Sequence, residues 1–244
     1  MQTGCKPFFK ALLDLCFPPV CLGCKKSLSP GPELQFCETC AAQIKFISEP
    51  FCPRCGLGFP HSAGGNHLCS ACLENVWSFS LARSLAYYAG PLVNALQSFK
   101  YGGKTTGLAS FQTLKKIQPI TAALFDPNLI VPVPLHPDRL RERGFNQALL
   151  LAEAFFPDLK NRISSSLLTR SKWTAPQTTL SGSARRKNLK NSFHVDPGKN
   201  LTGKKILLVD DVFTTGTTVN ECARVLVKAG AYEVQVLTLA RTGE

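Results

Sequence analysis

The sequence predicts an α/β protein with a mostly parallel sheet flanked by helices, preceded by a small cysteine-rich module. Three observations lead to this prediction. Eight cysteines form a repeat before residue 78, strand-like and helix-like apolar segments alternate after it, and one apolar run ends in two aspartates and a Thr/Gly loop. Strands that alternate with helices are typical of parallel sheets covered on both faces. We therefore place a domain boundary near residue 78, which divides the chain into 1–78 and 79–244.

The repeat consists of two units, each with two C-x₂-C pairs separated by 12 or 13 residues. A C-x₂-C turn lets both thiolates face one ion, and four thiolates give the closed tetrahedral coordination of structural zinc. Both units lack hydrophobic periodicity, as expected of a segment that uses metal in place of a core. The repeat therefore predicts two structural Zn²⁺ ions. The predicted ligands are Cys21, Cys24, Cys37, Cys40, Cys52, Cys55, Cys69 and Cys72.

Several alternatives remain open for the cysteines. Ligands could pair across the two units, and His61 or His67 could replace a cysteine, although surface positions suit both histidines better. Cys5, Cys16 and Cys222 have no matching partners and are interpreted as ordinary thiols. Unliganded or oxidised cysteines are disfavoured, because four C-x₂-C pairs in a chain without an export signal favour reduced, metal-bound thiols.

The elements of the larger domain follow from hydrophobic periodicity and breaker residues. The predicted strands are 84–89, 129–133, 205–210 and 234–240. The predicted helices are 91–100, 108–125, 144–156 and 219–229. Between them, 169–191 is a long polar and basic segment. In an open parallel sheet, ligands bind beyond the carboxyl ends of the strands, so the residues after each strand are the candidates for function.

Composition and charge narrow the function classes. The 244 residues are 44% hydrophobic and 18% charged, as in folded proteins. Residues 1–78 carry six Lys and Arg against five Asp and Glu, whereas 79–244 carry 22 against 11. This surplus of positive charge suits binding of nucleic acid, an acidic membrane or a polyphosphate ligand. The alternative is that it belongs to an ordinary solvated surface. The apolar stretch Phe8 to Phe17 is interrupted by Lys10 and Asp14, so we expect neither a signal peptide nor a membrane span, and a cytoplasmic protein.

The strongest functional signal is the segment 206–218, which reads ILLVDDVFTTGTT. An apolar strand delivers Asp210 and Asp211, and a Thr/Gly loop then opens onto a helix. Loop N–H groups, hydroxyls and the positive end of the helix form a site for a phosphate monoester. Two carboxylates beside it can accept hydrogen bonds from a sugar diol. The segment therefore predicts a ribose 5-phosphate site; the alternative is a buried strand before an N-capped helix.

This segment resembles the signature of type I phosphoribosyltransferases. The resemblance implies that Asp210 and Asp211 are the catalytic carboxylates and that 5-phosphoribosyl 1-pyrophosphate (PRPP) binds here with Mg²⁺. No G-K-[ST] follows the loop, which excludes a nucleotide P-loop. The residues implied in binding PRPP within this segment are Asp210, Asp211, Phe213, Thr214, Thr215, Gly216, Thr217 and Thr218.

Two further segments extend the resemblance. Residues 131–137, followed by Arg139, Arg141 and Arg143, resemble the pyrophosphate-loop region of the ComF (competence protein F) family; an ordinary surface is the alternative. Arginine offers planar, permanently charged donors to phosphate oxygens. Residues 174–193, with Arg185, are similar to the mobile catalytic loop of amidophosphoribosyltransferases; the alternative is a solvated linker.

With the cysteine repeat, the chain resembles the ComF family over about residues 16–242. The segment FKYGGK at 99–104 is also typical of that family and borders the acceptor pocket or simply ends a helix. The resemblance implies a type I phosphoribosyltransferase-like sheet with a double zinc ribbon, a role in DNA uptake during natural transformation, and transfer of ribose 5-phosphate to an unknown acceptor. The alternative is a non-catalytic module that binds single-stranded DNA or senses PRPP beside other competence proteins.

Overall fold

The computed structural model describes residues 18–29, 34–60, 64–101, 107–171 and 191–243. Within these ranges a four-stranded, all-parallel sheet has the strand order β1-β6-β5-β2. A separate antiparallel pair is formed by β3 and β4. The strands are β1 (Leu81–Tyr87), β2 (Leu129–Pro132), β3 (Leu168–Arg170), β4 (Phe193–Val195), β5 (Lys205–Phe213) and β6 (Glu233–Arg241).

Helices cover both faces of the sheet. The α-helices are α1 (Glu38–Ala42), α2 (Ser70–Glu74), α3 (Pro91–Tyr101), α4 (Leu108–Ile117), α5 (Pro137–Arg143), α6 (Gln147–Phe155) and α7 (Thr217–Lys228). Two 3-10 helices span Pro119–Ala123 and Pro157–Arg162. None of the helices in the described ranges is long and apolar enough to cross a membrane.

The central strands β5 and β6 are apolar along most of their length because both of their faces are covered. Successive side chains of a strand point to opposite faces. Ile206 and Leu208 accordingly share a core with Leu226 of α7, while Leu207 and Val209 pack with residues of α3 and α6. The sheet therefore has a separate hydrophobic core on each side.

The two cysteine units lie on opposite sides of this sheet. Cys21 and Cys40 of the first unit belong to the core on the α3 and α6 side, and all four cysteines of the second unit belong to the core on the α7 side. The segment between and around them also pairs with the edge strand β1: Tyr87 N–H donates to Lys45 O at 2.8 Å, and Ala82 N–H donates to Arg54 O at 2.7 Å. The N-terminal region thus covers a strand edge that would otherwise be open.

Most predicted elements are present, with shifted ends. Strand β5 continues past Asp210 to Phe213, so the acidic pair lies inside the strand. The predicted helix 108–125 ends as an α-helix at Ile117, and the 3-10 helix that follows begins at Pro119. The predicted helix 144–156 begins only at Gln147.

Helix α5 is a larger departure, because no helix was predicted between residues 133 and 144, and the three arginines lie on one. His136 caps its N-terminus by accepting from Asp138 N–H, and Pro137 occupies its first position. Gly144, with φ of 81°, ends it in the left-handed conformation. A short helix with a clear start and stop signal therefore precedes α6.

Candidate functional site

The site is built on the carboxyl end of β5, where Asp210 and Asp211 are buried, with 9% and 5% of their surface exposed. Asp211 N–H donates to Asp210 Oδ1 at 2.8 Å. From the last turn of α3, the Lys100 ammonium forms an ion pair with Asp211 Oδ2. Two adjacent carboxyl groups and one cation thus meet at the edge of the sheet where ligands of open α/β sheets bind.

The two carboxyl groups differ in their protonation. Burial and the neighbouring Asp211 raise the pKa of Asp210 well above its ordinary value. Burial alone would also raise the pKa of Asp211, but the Lys100 ammonium outweighs it and holds that pKa below the ordinary value. The pair therefore favours one ionised carboxylate, at Asp211, beside a carboxyl at Asp210 that can keep its proton.

The three predicted arginines of α5 do not face the same way. Arg141 is 78% exposed at its side chain and pairs with Asp138 at 2.8 Å. Arg143 donates to Gln147 Oε1 at 2.6 Å, and its guanidinium lies 5.2 Å from the centroid of the Tyr101 ring. Its charge adds to that of Lys100 in lowering the pKa of Asp211, after the opposing effect of burial. Arg143 therefore lies within electrostatic reach of the acidic pair, whereas the exposed side chain of Arg141 forms an ion pair with Asp138.

Arg139 of α5 lies near a second cation, Arg170 of β3. Burial lowers the pKa of Arg170, the charge of Arg139 lowers it further, and the charge of Asp210 opposes this effect. Arg170 therefore lies within electrostatic reach of both Arg139 and Asp210. The arrangement gathers positive charge from α3, α5 and β3 around the acidic pair, as expected where a highly charged anion binds.

The Thr/Gly loop joins β5 to α7. Gly216 adopts the left-handed conformation with φ of 72°, and a Cβ there would lie 2.6 Å from Phe213 Cζ and 3.0 Å from Trp77 Cζ3. Asn220 N–H donates to Gly216 O at 2.9 Å, which closes the first turn of α7. The Thr215 and Thr217 hydroxyls are 2.8 Å apart. Only glycine fits the turn, and the hydroxyls surround the positive end of a 12-residue helix.

Two site residues escaped the sequence prediction of the site. Lys100 lies in the FKYGGK segment, and the family resemblance of that segment indicated a functional role. The segment alone did not indicate that Lys100 pairs with Asp211. Arg170 lies at the start of a polar segment and carries no local signal. Arg185 and most of the predicted mobile loop, like residues 102–104 and 1–17, lie outside the described residues.

Each cysteine unit gathers its own four sulfur atoms. The sulfurs of the first set lie within 4.8 Å of one another, and so do those of the second set. The sets are Cys21, Cys24, Cys37 and Cys40, and Cys52, Cys55, Cys69 and Cys72. The ring of His67 instead stacks on Phe59 at 4.0 Å, and His61 lies outside the described residues. The sequence left open whether ligands pair within or across the units, and the structure brings the cysteines together within each unit.

The donor sets fit zinc. The described cysteines are free of disulfides, and four soft sulfur donors are the ligand set of structural zinc sites. Burial opposes ionisation of Cys21, but N–H groups of the C-x₂-C turn and of Cys37 lower its pKa to about 6. A hydrogen bond from Cys55 lowers the pKa of Cys52 to about 4 against the effect of burial. Burial raises the pKa of Cys40 and Cys72, and the hydrogen bond to Cys52, together with burial, raises the pKa of Cys55. In the absence of metal each unit therefore favours one thiolate beside protonated thiols.

Comparison with known proteins agrees with this architecture. A double zinc ribbon domain family matches residues 12–77, and a phosphoribosyl transferase domain family matches residues 155–244. DNA utilization protein YhgH of Escherichia coli (strain K12) is 34% identical over 233 residues, which cover 93% of this chain and 99% of that protein.

Two competence proteins are also similar over most of their length. Competence protein F of Haemophilus influenzae is 34% identical over 227 residues, covering 91% of this chain and 96% of that protein. Competence protein ComFC of Bacillus subtilis is 29% identical over 226 residues, covering 86% of each chain. With two cysteine ribbons packed on a phosphoribosyltransferase-type parallel sheet and this near full-length similarity, the chain belongs to the ComF family.

Proposed function

We propose that the chain binds PRPP with Mg²⁺ and transfers ribose 5-phosphate to an acceptor during DNA uptake in natural transformation. The observation that carries this proposal is the buried Asp210–Asp211 pair immediately before the phosphate-binding loop, with the Lys100 ammonium on the second carboxylate. The phosphoribosyl transferase domain match and relatives named competence proteins support it. The cytoplasm is the proposed location.

The ligand groups are assigned by charge and geometry. The 5-phosphate binds the N–H groups and hydroxyls of Thr214 to Thr218. The ionised Asp211 accepts from one ribose hydroxyl, and Asp210, which can keep its proton, can donate as well as accept. Arg139 and Arg143 bind the pyrophosphate, whereas Arg141 is left out because it pairs with Asp138 on the exposed face of α5.

The reaction breaks the bond between ribose C1 and pyrophosphate oxygen while the acceptor's nucleophilic atom bonds to C1. Pyrophosphate leaves with both bonding electrons, so positive charge develops on the ribose and negative charge on the leaving group. The carboxylate of Asp211 stabilises the first charge, and Arg139 and Arg143 stabilise the second. Bound Mg²⁺, a hard cation that prefers carboxylate and phosphate oxygens, would neutralise further charge on the pyrophosphate.

The cysteine sets are proposed to hold two structural zinc ions. Four protein ligands fill the coordination sphere of each ion, which leaves no open position for catalysis. We place the ribbons in a module at 1–78 and the transferase-type domain at 79–244. The zinc ions then contribute folding free energy rather than chemistry.

A second candidate function is binding of single-stranded DNA, or sensing of PRPP, without turnover. The surplus of 22 Lys and Arg over 11 Asp and Glu in residues 79–244 favours it, as does the relatives' name DNA utilization protein. Such binding tracks the nucleic-acid backbone and weakens steeply as salt rises. A gel shift at low salt that shows no complex would eliminate this candidate.

Calorimetry with PRPP and Mg²⁺ tests the ligand site, and pyrophosphate release with nucleobases or single-stranded DNA tests turnover. Asp211→Asn removes a charged acceptor of a sugar hydroxyl and should weaken PRPP binding by about 10- to 100-fold. Gly216→Val should abolish binding of ribose 5-phosphate, because a β-branched residue is strained at φ of 72° and its Cβ would clash with Phe213 and Trp77, so the loop must shift. Asp138→Asn, on the exposed side of α5, is the matched control and should bind as the unaltered protein does. If the unaltered protein bound neither ligand, the site assignment would be wrong.

A further inference from the structure

The last residue of β6, Arg241, connects the second cysteine set to the sheet. Its side chain is buried, with 5% of the residue exposed, and Nη1 donates to Cys55 O at 2.6 Å. The same Nη1 lies 3.7 Å from Cys55 Sγ. Four thiolates around one Zn²⁺ carry a net charge of about −2, so a buried guanidinium on a ligand sulfur offsets part of that charge. Arg241 is thus an outer partner of the second metal site.

The same guanidinium faces the strand that leads into the phosphate loop. Its Cζ atom lies 5.2 Å from the ring centroid of Phe213, its partner in the register of β5 and β6. The next residue, Thr242, donates its N–H to Phe213 O at 3.0 Å. Phe213 immediately precedes Thr214, so Arg241 and Thr242 hold the point at which the phosphate loop begins.

The far end of the second unit holds the other side of that loop. The Trp77 ring packs against Phe79, with centroids 5.2 Å apart, and its Cζ3 lies 3.0 Å from the place of a Cβ at Gly216. Ser78 N–H donates to Asn220 Oδ1 at 2.7 Å, in the first turn of α7. One end of the loop therefore contacts Arg241 and Thr242, and Arg241 is hydrogen-bonded to the second unit. The other end contacts Trp77 and Ser78, which follow that unit in the chain.

The first unit makes different contacts. Asn94 of α3 donates its side-chain N–H to Gly23 O at 2.9 Å. The Lys25 ammonium donates to the hydroxyl of Ser98, also on α3, at 2.6 Å. Gln35 N–H donates to the hydroxyl of Ser110 on α4 at 2.8 Å. These contacts lie on the opposite side of the sheet from α7. The two units therefore offer an internal comparison, because both carry the same set of four cysteines and the loop contacts belong to the second.

We propose that the second zinc centre, acting through Arg241 and Trp77, positions the phosphate loop, so that zinc at this centre sets the affinity for the 5-phosphate of the ligand. Arg241 is a positioning residue, since it contacts the metal ligand Cys55 and Phe213 rather than the phosphate. The inference rests on the proposed phosphoribosyl site for its ligand, but the coupling between zinc and loop is measurable without one.

The decisive variant is Arg241→Met, which keeps the length and apolar contact of the side chain but removes its charge and hydrogen bonds. Loss of an outer partner lowers metal affinity by about 10- to 100-fold, so one of the two zinc ions should be released faster to a chromogenic chelator. Affinity for ribose 5-phosphate should fall by about tenfold as the loop loses its support. Arg241→Lys should recover part of both properties, because it restores the charge without the planar fork.

Arg162→Met is the matched control. This arginine also donates to a backbone carbonyl, Pro127 O at 2.8 Å, and pairs with Asp126 at 2.7 Å. Its removal should leave zinc release and ligand affinity as they are in the unaltered protein. Wild-type zinc release and ligand affinity in Arg241→Met would overturn the proposal.

A ligand-free measurement separates this proposal from the proposed function. With Trp173→Phe as background, Trp77 is the sole tryptophan, so its emission should change when a chelator removes the second zinc ion. If the protein bound no phosphoribosyl ligand, the proposed function would fail while this emission still tested the coupling. An unchanged emission after complete zinc removal would overturn the coupling itself.

Trp77→Phe tests the same proposal if Arg241→Met fails to fold. This variant leaves both cysteine sets intact and removes part of one aromatic contact, worth about 1 kcal/mol, so ribose 5-phosphate should bind roughly fivefold more weakly with both zinc ions retained. Unaltered affinity in Trp77→Phe would then overturn the proposal.

Discussion

The two cysteine units share one ligand spacing but lie in different surroundings. In the first, Cys24 is exposed, and a cavity of about 730 Å³ opens beside it between Lys26 and Glu38. In the second, all four cysteines are buried, and Arg83 and Arg241 contact the unit from the sheet. The difference teaches that the same C-x₂-C spacing gives the same donor set in both units, whereas the tertiary structure decides how deeply each set is buried.

Two buried arginines, Arg83 and Arg241, contact the second unit. A buried charge is costly unless it is paired and hydrogen-bonded, while a partly solvated one is screened by water. Arg83 Nη1 donates to Pro53 O at 3.0 Å and to Ala82 O at 2.9 Å, which links the second unit to β1. Burial lowers the pKa of Arg83, and the charges of Cys52 and Cys55 oppose that effect. The second unit and the sheet therefore share one charge network.

Cys72→Ser should have the largest effect, because it removes a ligand from the buried unit. Structural zinc contributes about 10–16 kcal/mol in small zinc domains, and this free energy is folding free energy. We expect metal analysis to find one zinc ion, and circular dichroism to show loss of the cooperative unfolding transition of the sheet. A variant that lost one zinc ion but melted like the unaltered protein would remove the distinction between the units.

Cys24→Ser tests the exposed unit in the same way. It should also leave one zinc ion, but the first unit rests on α3 and α4 and the Cys24 side chain is already exposed. We expect a decrease in the free energy of unfolding less than half of that caused by Cys72→Ser, measured by chemical denaturation. Equal decreases in both variants would show that burial of the ligands does not matter.

Arg83→Met separates charge compensation from metal ligation. It leaves the carbonyl groups of Pro53 and Ala82 without this donor, and an unsatisfied buried acceptor costs about 1–3 kcal/mol. Chelator kinetics should show faster release of the second zinc ion and normal release of the first. Faster release of both ions would indicate general loosening instead of a local effect.

Gly23→Ala should have the smallest effect, confined to the first unit. A Cβ there would lie 2.5 Å from Pro91 Cβ and 3.0 Å from Cys40 Sγ, so the unit must shift away from α3. We expect a cost of about 1–2 kcal/mol in chemical denaturation, typical of overpacking. Gly198→Ala is the control, because its nearest neighbour would be 3.4 Å away. A neutral Gly23→Ala would mean that the first unit is only loosely seated.

Patterns that are local in the chain were predictable from the sequence. Four C-x₂-C pairs predict metal sites because each turn places its own two thiols, although which turns share a set was decided by the structure. The run from Ile206 to Thr218 predicts a strand, an acidic pair and a helix start. The alternation of strands and helices was sufficient for the parallel sheet, which the structure confirms. The boundary at residue 78 and the roles of the site residues remain proposals.

Contacts between distant segments were decided only by the tertiary structure. The chain order does not reveal that Lys100 pairs with Asp211, that Arg241 contacts Cys55, or that Trp77 lies against Gly216. The different directions of Arg141 and Arg143 could have been predicted from the sequence. Pro137 and Gly144 mark the start and end of a helix, and residues two apart on a helix point in different directions. Local sequence determines backbone shape and ligand spacing, but which side chains meet depends on how the sheet stacks its helices and ribbons, and that information is distributed over the whole chain.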